Sequence, residues 1–201
     1  MRVTREIQAE HRAKMLRQAS RLFRARGLAG VAVADITRAA GLTHGAFYGH
    51  FESKAAIAAE ACRDSLNRAA QRWRDLAARA TATGADPLDA LIDTYLTESH
   101  RDHPGGGCAL AALGAETVRE PGVHGGLADG TEALLQVLDA VLATTRPALS
   151  PEARADTALG VLAAMNGGLQ LARALARYPD RSTAALQAAR RAARRAATHS
   201  D

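Results

Sequence analysis

Residues 33–54, VADITRAAGLTHGAFYGHFESK, contain two short helical segments separated by a tight turn. The pattern predicts a helix over 33–40 that stops at Gly41, because glycine readily takes the left-handed conformation that ends a helix. A second, shorter helix is predicted over 44–49. The apolar residues are spaced to form a small common core: Ile36, Ala40, Leu42, Phe47 and Phe51. Two short helices joined in this way have the geometry of a helix-turn-helix.

Helical periodicity continues on both sides of this stretch. A helix is predicted over 6–26, closed by Gly27, and a long helix over 54–80. Asp86 is a candidate cap for the next helix and Pro87 its first residue. The later helices are predicted at 88–101, 109–119, 126–144, 151–177 and 182–197. No strand-like alternation is found, so the sequence predicts an all-α fold of about nine helices.

The charge of the chain is concentrated at its N-terminal end. The net charge is +5 over 201 residues. Residues 1–54 hold ten Lys and Arg against four Asp and Glu, which gives +6 and leaves about −1 for the remainder. A basic head on a nearly neutral body is typical of nucleic-acid binders, although a merely solvated basic face has the same composition.

Several classes of function are not expected from the sequence. It has no run of about 18 apolar residues and no signal-peptide pattern, so a soluble, cytoplasmic protein without a membrane partner is expected. Cys62 and Cys108 are expected to be free thiols. We find no nucleophile elbow, phosphate loop or suggestively paired carboxylates, so an enzyme is not expected and no cofactor is implied.

The helix-turn-helix stretch resembles the signature of the TetR family of transcriptional regulators. The residues that carry the resemblance are Asp35, Ile36, Ala39, Ala40, Gly41, Leu42, Thr43, Gly45, Phe47, Tyr48, His50, Phe51 and Lys54. The resemblance implies a three-helix DNA-binding domain over 1–53 and a helical ligand-binding and dimerisation domain over 54–201. One departure concerns Ala32, which stands where the family usually has a serine or threonine cap, and Asp35 in the first turn can partly offset its loss.

The resemblance also implies roles for individual residues. Thr43, Tyr48 and Lys54 would bind phosphates, His44 would face base edges, and Arg38 would reach the DNA from the preceding helix. Gly45 would let the recognition helix approach the groove closely. The hydroxyl of Thr43 has capping of the helix as an alternative role. Tyr48 has simple packing as its alternative.

Binding of double-stranded operator DNA by a homodimer is expected, since one short helix with few base-reading side chains discriminates poorly alone. The last two helices are the expected interface, through Leu159, Leu162, Gly167 and Leu171. The two mid-helix glycines at 167–168 are explained by close approach of another helix or by a kink at a ligand. The alternative to a dimer interface is that this helix lies in the core of a monomer. The arginines at 190, 191, 194 and 195 are interpreted as the solvated face of the last helix.

A small-molecule effector of unknown identity is the other expected partner. The candidate effector-binding residues are Trp73, Tyr95, His103, Cys108, Met165 and Asn166, within a wider set that includes Glu116. Each has an ordinary alternative as a core or exposed residue. The spacing of His100, His103 and Cys108 matches no zinc signature, so no metal is expected.

Cys108 follows three glycines at the start of a predicted helix, where unpaired amides favour a thiolate. The segment resembles a TetR subgroup that includes electrophile-sensing repressors. The sequence therefore predicts a ligand-responsive regulator, a repressor by resemblance. The alternatives are a redox or electrophile switch at Cys108, or a partner-binding module with vestigial DNA binding.

Overall fold

The computed structural model describes residues 5–198, which form ten α-helices, two 3-10 turns and no strand. This confirms the all-α fold. The helices are α1 (Arg5–Arg26), α2 (Val33–Ala39), α3 (His44–Tyr48), α4 (Lys54–Ala82), α5 (Pro87–Tyr95), α6 (Glu98–Asp102), α7 (Ala109–Leu113), α8 (Pro121–Thr145), α9 (Pro151–Ala174) and α10 (Pro179–Ala196). The 3-10 turns are Pro104–Gly106 and Thr117–Arg119.

The chain divides into two compact units. The first consists of the residues up to Leu66 together with Pro104–Gly130, and the second of Asn67–His103 together with the residues from Thr131 onward. Helices α4 and α8 each begin in the first unit and end in the second. The domain division at residues 53 and 54 expected from the sequence stays a prediction.

The first unit is built on the apolar stripe of α1. Met15, Ala19 and Phe23 recur at four-residue intervals and are fully buried, as the helical period requires. Ile36 of α2 and Phe47 of α3 are also fully buried. The small core predicted for the helix-turn-helix is thus present, with Ala40 and Leu42 at its half-buried edge.

Helix α8 begins at Pro121, five residues before the predicted start at 126. The segment is rich in glycine, which weakens an isolated helix, but tertiary packing requires two of these glycines, Gly126 and Gly130. A Cβ on Gly126 would lie 2.0 Å from the carbonyl oxygen of Ala59, and one on Gly130 would lie 2.6 Å from the Cβ of Leu66. The glycines therefore let α8 approach α4 at backbone distance.

Two other predicted helices are interrupted. The helix expected over 88–101 breaks after Tyr95, because the hydroxyl of Thr97 accepts the amide of His100 at 3.1 Å and caps the separate helix α6. The helix expected over 109–119 ends at Leu113 and continues only as a 3-10 turn. Capping of α5 by Asp86 is confirmed, with its carboxylate accepting the amides of Leu88 and Asp89 at 2.7 and 3.1 Å.

In the second unit, α10 packs against α9 and is tied to α5 by arginines. Nε of Arg194 lies 2.8 Å from Asp89, and its Nη2 lies 2.9 Å from Asp93. Nη2 of Arg190 donates to the carbonyl of Leu96 at 2.5 Å. The interpretation of all four C-terminal arginines as a solvated face was therefore wrong for Arg190 and Arg194, which are half-buried and bind α5.

Among residues 5–198, no helix is both long enough and apolar enough to cross a membrane.

Candidate nucleic-acid interface

Helices α2 and α3 are joined by a turn in which the amides of Gly41 and Leu42 are hydrogen-bonded to α2. Gly41 has φ +70°, the left-handed conformation that glycine adopts without steric cost. The amide of Gly41 donates to the carbonyl of Arg38 at 3.1 Å, and that of Leu42 donates to Thr37 at 2.9 Å. This rigid turn fixes α3 relative to α2, as the sequence predicted.

The start of α2 compensates for its missing cap. Ala32 stands at the N-cap position and has no side-chain oxygen. The carboxylate of Asp35 accepts the Ala32 amide at 3.0 Å. One of the two bonds of a capping box is thus formed, which is the compensation expected of Asp35.

Helix α3 presents one face to solvent. Thr43, His44, Gly45 and Tyr48 are exposed, while Phe47 points into the core. The Thr43 hydroxyl does not cap the helix, so the capping alternative for this side chain is not realised. No heavy atom outside the neighbouring backbone lies within 4 Å of a Cβ built on Gly45. The exposed face is therefore small and open to a close approach.

The ring of Tyr48 is held between two other rings. It meets His44 edge-on at 5.7 Å between centroids and Phe47 edge-on at 5.3 Å. Tyr48 is nonetheless 63% exposed. Edge-to-face contacts at these distances are favourable, so the phenol is preorganised while its hydroxyl end stays accessible.

Two basic side chains flank α3. The side chain of Arg38 is 78% exposed and touches Asp35 at a long 3.5 Å. Lys54, the first residue of α4, is half-buried, and its Nζ donates to the carbonyl of Leu28 at 2.9 Å. An ammonium has three donors, so one of those of Lys54 is used within the protein.

An ion pair between α1 and α4 was not predicted from the sequence. Arg12 of α1 forms a bidentate pair with Glu60 of α4 at 2.5 Å, and its guanidinium lies 4.8 Å from the centre of the Phe51 ring. The pKa of the neighbouring His50 is lowered by burial, with smaller contributions from the charges of His11 and Arg12. Residues 48 positions apart carry no periodic signal, so only the folded chain reveals this pair.

The residues predicted to bind an effector do not form one group. In the second unit, the rings of Trp73 and Tyr95 meet edge-on at 5.9 Å, and Tyr95 meets His100 at 4.6 Å. Met165 is fully buried. His103 is exposed and bonds the carbonyl of Ser99 at 3.0 Å.

The three remaining effector candidates discussed above, Asn166, Cys108 and Glu116, have different surroundings. The side-chain oxygen of Asn166 is buried and has no hydrogen-bond partner among the described residues. Cys108 belongs to the first compact unit, where it is 6% exposed. Glu116 belongs to the same unit, and its carboxylate accepts the amide of Leu28 at 2.6 Å.

The second unit contains a cleft of about 230 Å³, and none of its lining residues was among the effector candidates from the sequence. It lies between the C-terminal parts of α4 and α8, beside the start of α5. Buried apolar residues form its floor, and exposed residues, one of them cationic, form its rim. The lining residues are Arg74, Ala77, Ala78, Thr81, Pro87, Gln136, Val137, Ala140, Val141 and Thr144.

The residues predicted for the dimer interface lie on α9. Leu159 and Leu171 are each 54% exposed, and Gly167 is open to solvent, with no heavy atom within 4 Å of the position that a Cβ would take. Leu162 is 5% exposed and packs within its own chain. Helix α9 is continuous through Gly167 and Gly168, and the kink considered from the sequence stays a prediction.

The all-α fold and the exposed face of α3 define a helical protein with a helix-turn-helix of the type that binds DNA. Residues 15–61 match the family model described as bacterial regulatory proteins, tetR family. Residues 15–61 are therefore a DNA-binding domain of the TetR family of transcriptional regulators.

Relatives support this assignment over less than half of the chain. A probable HTH-type transcriptional regulator, ArpR of Pseudomonas putida, is 41% identical over 91 residues, which are 45% of this chain and 40% of that protein. The HTH-type transcriptional repressor KstR2 of Mycolicibacterium smegmatis is 33% identical over 88 residues, 44% of this chain and 41% of that protein. The chain thus spans about two fifths of the length of the curated relatives it matches.

A solved structure extends the similarity over nearly the whole fold. A TetR transcriptional regulator from Chloroflexus aurantiacus superimposes with a TM-score of 0.72 at 26% identity, covering 96% of this chain and 95% of that one.

Proposed function

We propose that this chain is a repressor that binds a palindromic operator as a homodimer and is released by a small molecule. The observation that carries the proposal is the exposed face of α3, where Thr43, His44 and Tyr48 surround the bare backbone of Gly45. A short helix with such a face fits the major groove. The relative named a repressor supports repression rather than activation.

The proposed DNA contacts are of two kinds, those that position the protein on the phosphates and those that recognise bases. Thr43, Tyr48 and Lys54 bind phosphates, Arg38 adds a phosphate contact from α2, and His44 faces base edges. Phosphate contacts set the register of a protein on DNA, while base contacts specify sequence. With so few base readers, part of the specificity comes from the shape of the operator.

Dimerisation through α9 is supported by an exposed stripe of apolar and small residues. Its members recur every four residues, and all are exposed: Ala155, Leu159, Ala163, Gly167 and Leu171. Four-residue spacing places them along one side of the helix. Two copies related by a two-fold axis would bury this stripe and present their α3 helices to half-sites about 34–36 Å apart, one turn of DNA.

An effector site in the second unit is supported by two features. One is the cleft between α4 and α8, which has an apolar floor and a polar rim, the usual composition of a ligand site. The other is the buried oxygen of Asn166, because a buried acceptor without a donor is unfavourable. Trp73, Tyr95, Met165 and His103 remain the proposed ligand residues of that unit. We propose that the effector acts by moving α4, which begins at the proposed phosphate-binding residue Lys54.

Switching through Cys108 stays a prediction. Its side chain is buried, so reaction with an electrophile requires local opening. Thiol modification is tested by comparing the response of Cys108→Ser with that of the unmodified chain. Normal induction of the variant would remove this alternative.

The deciding experiment is footprinting on the DNA that flanks its own gene, with and without candidate effectors. A protected palindrome, occupied by two chains and lost on addition of one effector, is the expected result. His44→Ala is expected to weaken protection, and Arg177→Ala, an exposed change beyond the end of α9, serves as the control. No protected sequence, or binding that is insensitive to salt, would rule the proposal out, since real phosphate binding weakens steeply with salt.

A further inference from the structure

The link between α1 and α2 is held at the backbone of Leu28 by two charged side chains from distant parts of the chain. Gly27 ends α1 with φ +77°. The next amide, that of Leu28, donates to Oε2 of Glu116 at 2.6 Å. The Leu28 carbonyl accepts from Nζ of Lys54 at 2.9 Å, and the leucine side chain is only 2% exposed. The link is therefore fixed at its N–H, its carbonyl and its side chain.

The carboxylate of Glu116 lies directly against Gly27. A Cβ at this position would be 2.8 Å from Oε1 and 3.0 Å from Oε2. Glycine thus meets two requirements here, the left-handed backbone and the space for the carboxylate. A bond from an amide to a carboxylate is charge-assisted and stronger than a neutral one.

Glu116 comes from outside the helix-turn-helix, between α7 and the 3-10 turn Thr117–Arg119. The segment 104–119 is attached to α1 at a second point. Nε and Nη2 of Arg24 donate to the carbonyl of Gly105 at 3.1 and 2.7 Å, and Nη1 of Arg24 donates to the hydroxyl of Ser65 in α4 at 2.6 Å. The segment therefore holds both the last turn of α1 and the link that follows it.

We infer that Glu116 is a positioning residue for operator binding, which sets the direction in which the chain leaves α1 and enters the helix-turn-helix. The inference rests on the proposed function. Glu116 acts through Leu28, in contrast to the effector-binding role considered from the sequence. Because α2 begins five residues after Leu28, a change in the link moves α2 and α3 together. Operator binding requires a defined direction of α3, whereas non-specific binding depends mainly on charge.

The test uses the full chain and two substitutions, Glu116→Ala and Glu116→Gln, with Glu120→Ala and Glu120→Gln, just after the same segment, as matched controls. Hydrogen exchange of the Leu28 amide is measured without DNA. Affinities are then measured by fluorescence anisotropy for the footprinted operator and for a random duplex of equal length, and thermal unfolding is followed by circular dichroism.

Glu116→Ala is expected to weaken operator binding at least tenfold, to change binding of the random duplex less than twofold and to speed exchange at Leu28 at least tenfold. Glu116→Gln retains an acceptor and is expected to fall between Glu116→Ala and the unmodified chain. Both Glu120 variants should match the unmodified chain. If Glu116→Ala does not fold, the Glu116→Gln values decide.

Two results would overturn the inference. One is operator affinity within twofold of the unmodified chain despite the Glu116→Ala change. The other is equal loss of binding to both duplexes in proportion to lost helix content, which indicates a merely structural role. If the unmodified chain itself does not prefer an operator over the random duplex, the proposed function fails. If it does and Glu116→Ala prefers it equally, only the positioning inference fails.

Discussion

Gly168 of α9 faces Ala189 of α10 so closely that a Cβ on Gly168 would lie 2.0 Å from the Cβ of Ala189. Its neighbour Gly167 has no heavy atom within 4 Å of the same position. Two adjacent glycines in one helix thus have opposite environments, one inside the chain and one on its surface.

This difference predicts opposite effects of alanine at the two positions. Gly168→Ala forces α9 and α10 apart and is expected to destabilise the protein by about 1–3 kcal/mol, as overpacking does. Gly167→Ala adds a methyl group in open space and gains helix propensity, worth up to about 1 kcal/mol. Thermal unfolding of both variants at one protein concentration checks this. Equal melting temperatures would contradict the packing described for Gly168.

The two glycines also illustrate what the sequence could and could not predict. Close approach of helices was among its explanations for the pair, but the residue that makes the approach depends on helix rotation, which a single helix does not define. The same holds for α8, where Gly126 packs against the backbone of Ala59, a partner that no local signal marks. Local signals, such as the cap at Asp86 and the turn at Gly41, were predicted correctly because their partners lie within a few residues.

The site divides in the same way. The exposed face of α3 could be predicted from the sequence, because its residues are close together in the chain and belong to the family signature. The partners of Arg12, Arg24 and Glu116 lie 41 to 88 residues away. Such pairs are determined by tertiary packing, for which one sequence holds no periodic signal. Glu116 was consequently grouped with the effector residues, although its carboxylate bonds the backbone of Leu28.

Arg38 is expected to act as a phosphate ligand. Its side chain is 78% exposed and, among residues 5–198, is paired only with Asp35, at a long 3.5 Å. Arg38→Gln should therefore weaken binding to operator and random DNA alike and reduce the slope of log K against log salt concentration by about 0.9. Anisotropy titrations at several salt concentrations measure this, with Arg177→Gln as a charge-matched control. An unchanged slope would exclude a phosphate contact by Arg38.

Cys62 is expected to be unreactive in the folded protein. Burial raises the pKa of its thiol to about 11, with the charge of Arg24 opposing the shift and that of Glu116 adding to it. Relative to an ordinary value of 9.0, the thiolate fraction at pH 8 falls about 100-fold. In the Cys108→Ser variant, alkylation by iodoacetamide should be at least that much slower in the folded than in the urea-unfolded chain. Similar rates in the two states would contradict the burial of this thiol.

The raised pKa also has a consequence for stability. The unfolded thiol ionises near pH 9 while the folded one stays protonated to about pH 11. The contribution of Cys62 to stability is thus fully present below pH 9 and is lost as the pH rises to about 11. Cys62→Ala removes this titration, so its free energy of unfolding should decline less between pH 9 and 11.

Leu171 is the residue chosen to test the proposed dimer. It is 54% exposed on the apolar stripe of α9, so a change to glutamate costs the single chain little. In a two-fold interface that covers the stripe, the same change buries an unpaired carboxylate from each chain in an apolar surrounding, which is strongly unfavourable. Leu171→Glu is therefore expected to convert the dimer to monomers in light scattering and to weaken operator binding at least tenfold, while the helix content stays unchanged. Thr94→Glu, an exposed position on α5, adds the same charge away from the stripe and should leave the dimer intact. A dimer that persists in Leu171→Glu would place the interface elsewhere on the chain.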